Sequence, residues 1–322
     1  MAASPRRIPC HMTACVDILP RYRRRMMNRG IWSLVTLVVV SLLAASWWVS
    51  EPFRASAQSP SPTEAVGIHK VQDGLGQPDF SQPIFIAVMG SDTRNGPPDA
   101  GGGCDAIHIV AINAQQKAGT ILNFPRDSYL NGSKITDICR RSGFESALEV
   151  LKSHTGLPVQ YYVKTEFSNF MAFIDELGGV EINVPYPMND PPSGAFFNAG
   201  PVHMLGGDLL AFSRNRKNTP RGDFSRTENQ GAVIIASLGK FRNEVGSDPH
   251  RLFDYIKATQ RHIKITVPLL EVFKLALLAK EIDPAAMQNV NVPGSSGSAG
   301  SASVVYLSPG DTYDRVRDDG VY

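Results

Sequence analysis

Twenty consecutive residues without a charged side chain, Ile31–Ser50, constrain this chain more than any other feature. As a helix they would span about 30 Å, the thickness of a bilayer's hydrocarbon core. The run is uncharged on every face, which a helix packed at the surface of a soluble domain is not. Arg21, Arg23, Arg24, Arg25 and Arg29 precede it, and Trp47 and Trp48 stand near its end. By the positive-inside rule residues 1–30 form a cytoplasmic basic tail, residues 31–50 a transmembrane anchor, and everything beyond lies outside. The expected location is therefore the cell membrane, single-pass, with an extracytoplasmic domain. Ala55-Ser56-Ala57 has the form of a signal-peptide cleavage site, which makes cleavage the rival reading. The length of the apolar run, with Glu51 and Arg54 before that tripeptide, favours the retained anchor.

The charge balance follows the same division. The chain carries 32 Lys and Arg against 30 Asp and Glu, a net +2. Residues 1–30 hold seven Arg and one Asp, so residues 31–322 carry −4. A negatively charged body is a poor general binder of nucleic acid, and no nucleic-acid partner is expected. Of the four cysteines, Cys10 and Cys15 fall on the cytoplasmic side, whereas Cys104 and Cys139 fall outside, where disulfides persist. A Cys104–Cys139 bridge is expected, the alternative being two buried thiols; no C-x-x-C spacing points to zinc.

Residues 51–80, rich in Pro, Ser and Ala without apolar periodicity, read as an extended spacer. From Pro83 onward short Ile- and Val-rich runs appear: Pro83–Met89, Ala106–Asn113 and Gly119–Phe124, each bounded by Gly, Asn or Pro as buried strands are. Helices are expected over 144–154, 168–177, 205–212, 225–245, 249–263 and 268–281. Strands are expected over 159–164, 180–184, 289–292 and 303–307, the last following a Gly/Ser loop at 294–303. Alternation of strand and helix indicates an α/β fold, an α/β/α layered sandwich with a central mixed sheet, in one domain over 80–322.

Three charged clusters sit where strands or helices are expected to end. Gly90-Ser91-Asp92-Thr93-Arg94 follows the first strand, a position where ligands of α/β sheets collect. Asp92 offers a hard oxygen ligand and Arg94 a fork for phosphate. Pro125-Arg126-Asp127-Ser128, with Lys134 beyond it, ends the third strand. Ser213-Arg214-Asn215-Arg216 leads into Arg221-Gly222-Asp223-Phe224-Ser225-Arg226 and Gln230. Arg214 and Arg216 can converge on one anion only where the chain leaves the helix near Ser213 and runs extended. Lys217, Asn218 and Pro220 support that exit. Arg226 and Gln230, four apart, share a helix face. No G-x-S-x-G, H-E-x-x-H or G-x-x-x-x-G-K-[ST] motif is present. His108, inside a strand, and His154, near a helix end, read as structural.

The fragments G-S-D-T-R (90–94), Asp105, N-F-P-R-D-S (123–128), K-I (134–135), D-E-L-G-G-V (175–180), G-P-V-H-M-L-G (200–206), S-R-N-R (213–216) and G-D-F-S-R-T-E-N-Q (222–230) occur in an order that resembles the LytR-CpsA-Psr family, actinobacterial type. The resemblance implies a transferase that moves a glycopolymer from a polyprenyl-pyrophosphate carrier to peptidoglycan with Mg²⁺ at the outer face of the membrane. It implies Asp92 and Asp105 as metal ligands, and Asp92, Asp105, Arg126 and Asp223 as catalytic residues. Arg94, Arg126, Lys134, Arg214, Arg216, Arg226 and Gln230 would bind the pyrophosphate. The chain departs from the family where an Arg often stands two residues before the second Asp, here Gly103, and at Ala106, where Thr is common. The alternatives are a pyrophosphate-binding scaffold without turnover and a pyrophosphohydrolase using the same site.

Overall fold

The computed structural model describes residues 67–70, 80–92, 102–217, 219–265 and 267–322. The apolar run, the basic tail, the cleavage-like tripeptide and Arg94 lie outside the described residues. Among the described residues no helix is long and apolar enough to cross a membrane.

The Ile- and Val-rich runs do form strands, in one seven-stranded sheet. Its strands in chain order are β1 (Gly67–Lys70), β2 (Ile84–Ser91), β3 (Cys104–Asn113), β4 (Ala118–Asn123), β5 (Tyr161–Glu166), β6 (Lys264–Ile265) and β7 (Met287–Asn291). Their spatial order is β6-β1-β5-β2-β3-β4-β7. The β1/β6, β2/β5 and β4/β7 pairs are parallel and the other three antiparallel, so the sheet is mixed. The helices are α1 (Ile135–Thr155), α2 (Phe167–Glu176), α3 (Gly206–Arg214), α4 (Asp223–Ser247), α5 (Arg251–His262), α6 (Leu269–Glu281) and α7 (Thr312–Asp319).

Side chains alternate across a strand, and the central part of this sheet buries both faces, so β2, β3 and β4 are mostly apolar. Phe85, Ala87 and Met89 of β2 join Ile107 and Ile109 of β3 beneath Phe144, Leu148 and Leu151 of α1 and Val316 of α7. Ile84, Ile86 and Val88 point the other way, with Val110 and Ile121, against Ile234, Ile235 and Leu238 of α4 and Val272 and Leu278 of α6. A third cluster lies where α2 and α3 pack on the antiparallel ribbon Val180–Val184/Gly200–Met204. Gly179 makes the turn into that ribbon at φ 81°, and a Cβ there would meet the Met204 carbonyl at 2.7 Å.

The structure adds elements the sequence reading did not expect, such as α7 and the strand Gly200–Met204, and differs from it in three further places. Strand β1 lies in the stretch expected as spacer and pairs with β5 and β6. Helix α1 starts at Ile135, nine residues early; Gly143, at φ 86° and ψ 174°, interrupts it, and the expected helix is its second piece. The supposed Gly/Ser loop is a hairpin, Gly294–Ala299 against Ala302–Leu307. There the glycines serve packing, because a Cβ on Gly297 would lie 2.8 Å from the Tyr306 ring.

Cys104, the first residue of β3, is bonded to Cys139 in the first piece of α1, with 5.8 Å between their Cα atoms. Both are buried in the core under α1. The bridge spans 35 residues. Closing such a loop contributes roughly 3–4 kcal/mol by the chain-entropy model. Replacing both cysteines by Ala should lower unfolding stability by about that amount in denaturant titrations. An unchanged midpoint would contradict this.

Candidate active site at the ends of the central strands

The site begins with an irregularity in the strands. Gly90 of β2 pairs with Ala106, but Ser91 pairs with Cys104, so Asp105 has no partner and forms a bulge. A bulge turns a side chain that strict alternation would send elsewhere. Cys104 therefore enters the core under α1, while Asp105 and Ala106 both line a cavity on the other side. Gly103 immediately before it has no room for a side chain: a Cβ would sit 2.4 Å from Thr136 Oγ1 and 2.9 Å from Arg140 Nη2.

The cavity holds about 630 Å³ between the central strands β2, β3 and β5 and helices α2, α3 and α4. Its polar end gathers most of the charged residues singled out from the sequence. Arg126 Nη1 donates to Asp105 Oδ1 at 2.6 Å. Arg226, 4% exposed, approaches Asp223 Oδ1 at 2.9 Å, and Arg216 Nε reaches the same oxygen at 3.4 Å. Gln230, one turn along α4, donates to the carbonyls of Ser213 at 3.1 Å and Asp105 at 3.5 Å. Arg214 lines the cavity with its guanidinium 5.4 Å above the Phe167 ring, and Asp92 lines it at the end of β2. The other end is apolar: Val88, Phe170, Leu210, Val233 and Ile234. Lys134 is not among the lining residues; it pairs with Asp127 at 3.2 Å on a short hairpin.

Burial shapes the charges here. It works against the Arg226 guanidinium and lowers its pKa, with Asp223 opposing that shift. Burial also works against Arg126, but Asp105, Asp127 and Asp223 outweigh it and raise the pKa. Arg126 Nε and Arg226 Nε are buried without a hydrogen-bond partner among the described residues. Both guanidinium groups line the cavity, where an incoming anion would meet them.

The expected exit from the helix occurs one residue later than Ser213. Arg214 is still helical, and Asn215 turns to φ −57° and ψ 125°. What holds the exit is Asp190, which the sequence reading did not single out. Its Oδ2 accepts from the backbone N–H groups of Arg216 at 2.9 Å and Lys217 at 3.2 Å. Burial opposes ionisation of Asp190, yet those hydrogen bonds prevail and lower its pKa. In the sequence it stands in Asn189-Asp190-Pro191-Pro192, which reads as an ordinary turn.

A model of the LytR-CpsA-Psr family matches residues 54–319. The chain belongs to that family. It is 25% identical over 238 residues to the polyisoprenyl-teichoic acid–peptidoglycan teichoic acid transferase TagU of Bacillus mycoides, covering 71% of this chain and 75% of TagU. The fold is similar to a LytR-Csp2A-Psr enzyme from Actinomyces oris, with a TM-score of 0.59 at 21% identity over 82% of this chain and 98% of that one. It is also similar to TagT bound to LI-WTA, with a TM-score of 0.60 at 18% identity over 77% and 93% of the two chains.

His108 lies on β3, lines this LytR-CpsA-Psr cavity and is 1% exposed. Burial, reinforced by Arg226, lowers its pKa to about 4 against the pull of Asn123 and Gln230. The unfolded chain, with an ordinary histidine near 6.5, therefore binds the proton more readily between those values. Stability should fall as pH drops from about 6.5 to 4, by on the order of 3 kcal/mol from this residue. Denaturant midpoints across that range should fall less steeply in His108→Gln; identical pH profiles would contradict the assignment.

Proposed function

We propose that this protein transfers a glycopolymer from a polyprenyl-pyrophosphate carrier to peptidoglycan at the outer face of the membrane in which Ile31–Ser50 anchors it. The observation that carries the reading is the cavity's division into two ends. One end offers the guanidinium groups of Arg126, Arg214, Arg216 and Arg226, and the other an apolar wall. A lipid diphosphate has the same two parts. The names of the curated relatives, transferases of polyisoprenyl-linked teichoic acid to peptidoglycan, support the reaction class.

In this reading an acceptor hydroxyl attacks the phosphorus attached to the glycan. The new O–P bond forms as the hydroxyl's O–H bond and the P–O–P bridge break, and polyprenyl phosphate leaves and takes up the proton. Arg126 and Arg226 hold the diphosphate, with Arg214 and Arg216 at its flank and Gln230 bracing the Ser213 carbonyl beside them. Asp223 keeps Arg226 and Arg216 aligned. Among the described residues no group of three or more His, Cys, Asp or Glu could hold a metal. Mg²⁺ instead typically takes one or two carboxylates and completes its shell with phosphate oxygens and water. Asp92 and Asp105 fit that pattern, and the ion would neutralise charge on the leaving phosphate. Arg94 belongs to the same proposal by its place in the motif.

Gly103 favours a second reading, a scaffold that binds the lipid without turnover, because the position where the family often has Arg accepts no side chain here. One assay separates these readings and a hydrolase. Purified protein with Mg²⁺ and a polyprenyl-pyrophosphate glycan should release polyprenyl phosphate only when peptidoglycan acceptor is added. Release without acceptor indicates a hydrolase, and binding without release a scaffold. The double Arg214→Ala/Arg216→Ala protein should bind the lipid at least tenfold more weakly. Each charged hydrogen bond lost costs about 1.5–3 kcal/mol. Wild-type affinity in that variant would remove both residues from the site.

A further inference from the structure

The polar network behind the arginines contains two acceptors and no donor between them. It starts from the Glu228 carbonyl, which can only accept. Asn289 Nδ2 donates to it at 2.8 Å. Asn289 Oδ1 then accepts from Asn123 Nδ2 at 2.6 Å, and Asn123 Oδ1 is left facing His108 Nδ1 at 2.7 Å. The chain of donors fixes the ring: His108 carries its proton on Nδ1 and presents the Nε2 lone pair. That atom is buried and has no partner among the described residues.

Gln230 is fixed in the same way from the other side. Its Nε2 donates to the Ser213 and Asp105 carbonyls, which again only accept. Its Oε1 is therefore turned away from them, buried, and also without a partner among the described residues. The Gln230 side chain lies where a protonated His108 ring would donate to it. One proton on Nε2 would satisfy both orphaned atoms at once.

We propose that His108 belongs to the diphosphate site and takes up one proton from solvent as a diphosphate enters, the new Nε2–H donating to Gln230 Oε1. The inference rests on the binding half of the proposed function and not on turnover. What keeps the ring neutral without ligand is burial together with the charge of Arg226 on α4. The other groups around it are either paired or uncharged. Asp223 pairs with Arg226, and Arg126 pairs with Asp105. Val88 stands opposite on β2, and Asn289 lies behind on β7. A diphosphate against Arg226 would cancel that repulsion, the smallest of the causes, and its own negative charge near the ring would offset the larger cost of burial. Proton uptake then completes the network behind the arginines as the anion fills the front. Relative to His108→Gln, whose pH dependence would come from the diphosphate's own ionisation, wild-type binding should tighten as pH falls.

The test is calorimetric titration of the full-length protein with farnesyl diphosphate at pH 6.5, without metal, in two buffers of different ionisation enthalpy. Wild type should take up about one proton more per site than His108→Gln; equal proton counts would overturn the inference. Nitrogen NMR of histidine-labelled wild type gives the same answer without a variant. Nε2 should change from unprotonated to protonated on adding farnesyl diphosphate. A bound state with Nε2 still unprotonated, as when a water bridges the two acceptors, overturns the proposal and leaves the binding reading intact. Failure of wild type to bind farnesyl diphosphate at all overturns the binding reading and this inference with it.

Discussion

Burial of guanidinium groups with fewer hydrogen bonds than they can make is the constraint around which the site is arranged. Arg226 is almost fully enclosed, and a buried charge without a partner is costly. Asp223 at the start of the same helix offsets part of that cost, and Arg216 shares the same carboxylate. Arg126 and Asp105 repeat the arrangement across the cavity. The lining holds five Arg and Lys against four Asp, so the cavity is nearly balanced before any ligand arrives. Its charges are therefore largely compensated before a ligand arrives, while its guanidinium groups still face the cavity.

The rest of the fold brings those pairs together. The bulge at Asp105 turns one carboxylate out of the core, and the Cys104–Cys139 bond ties the adjoining end of β3 to α1. Asp190 draws the chain out of α3 so that Arg216 can reach Asp223. The apolar end needs no special device. It follows from the face of the sheet that α4 covers, where Val88, Val233 and Ile234 meet.

Much of this was legible in the sequence, for physical reasons that also mark where legibility stops. Strands β2, β3 and β4 are recognisable because they are buried on both faces and bounded by turn residues. The Arg–Asp cluster at 214–230 is recognisable because so many charges close to a helix start exceed what capping requires. The hairpin over 294–307 was hidden because Gly and Ser carry no hydrophobic period, whatever the backbone does. The early start of α1 was hidden by Gly143, which breaks the pattern between its two pieces. Asp190 was missed for a different reason. Its partners lie beyond α3, 26 and 27 residues away, and only folding supplies them. Lys134 stands in the sequence where it suggests the site, although it pairs with Asp127 outside the cavity lining.

The central claim is that this cavity recognises a diphosphate joined to a lipid. Its most direct test compares farnesyl diphosphate, farnesyl monophosphate and farnesol as ligands of the full-length protein by calorimetry at fixed salt. The account predicts affinity falling in that order, by roughly tenfold or more at each step, since each loses charged hydrogen bonds of about 1.5–3 kcal/mol. Farnesol binding as tightly as the diphosphate would contradict it, because the apolar wall alone would then account for the cavity.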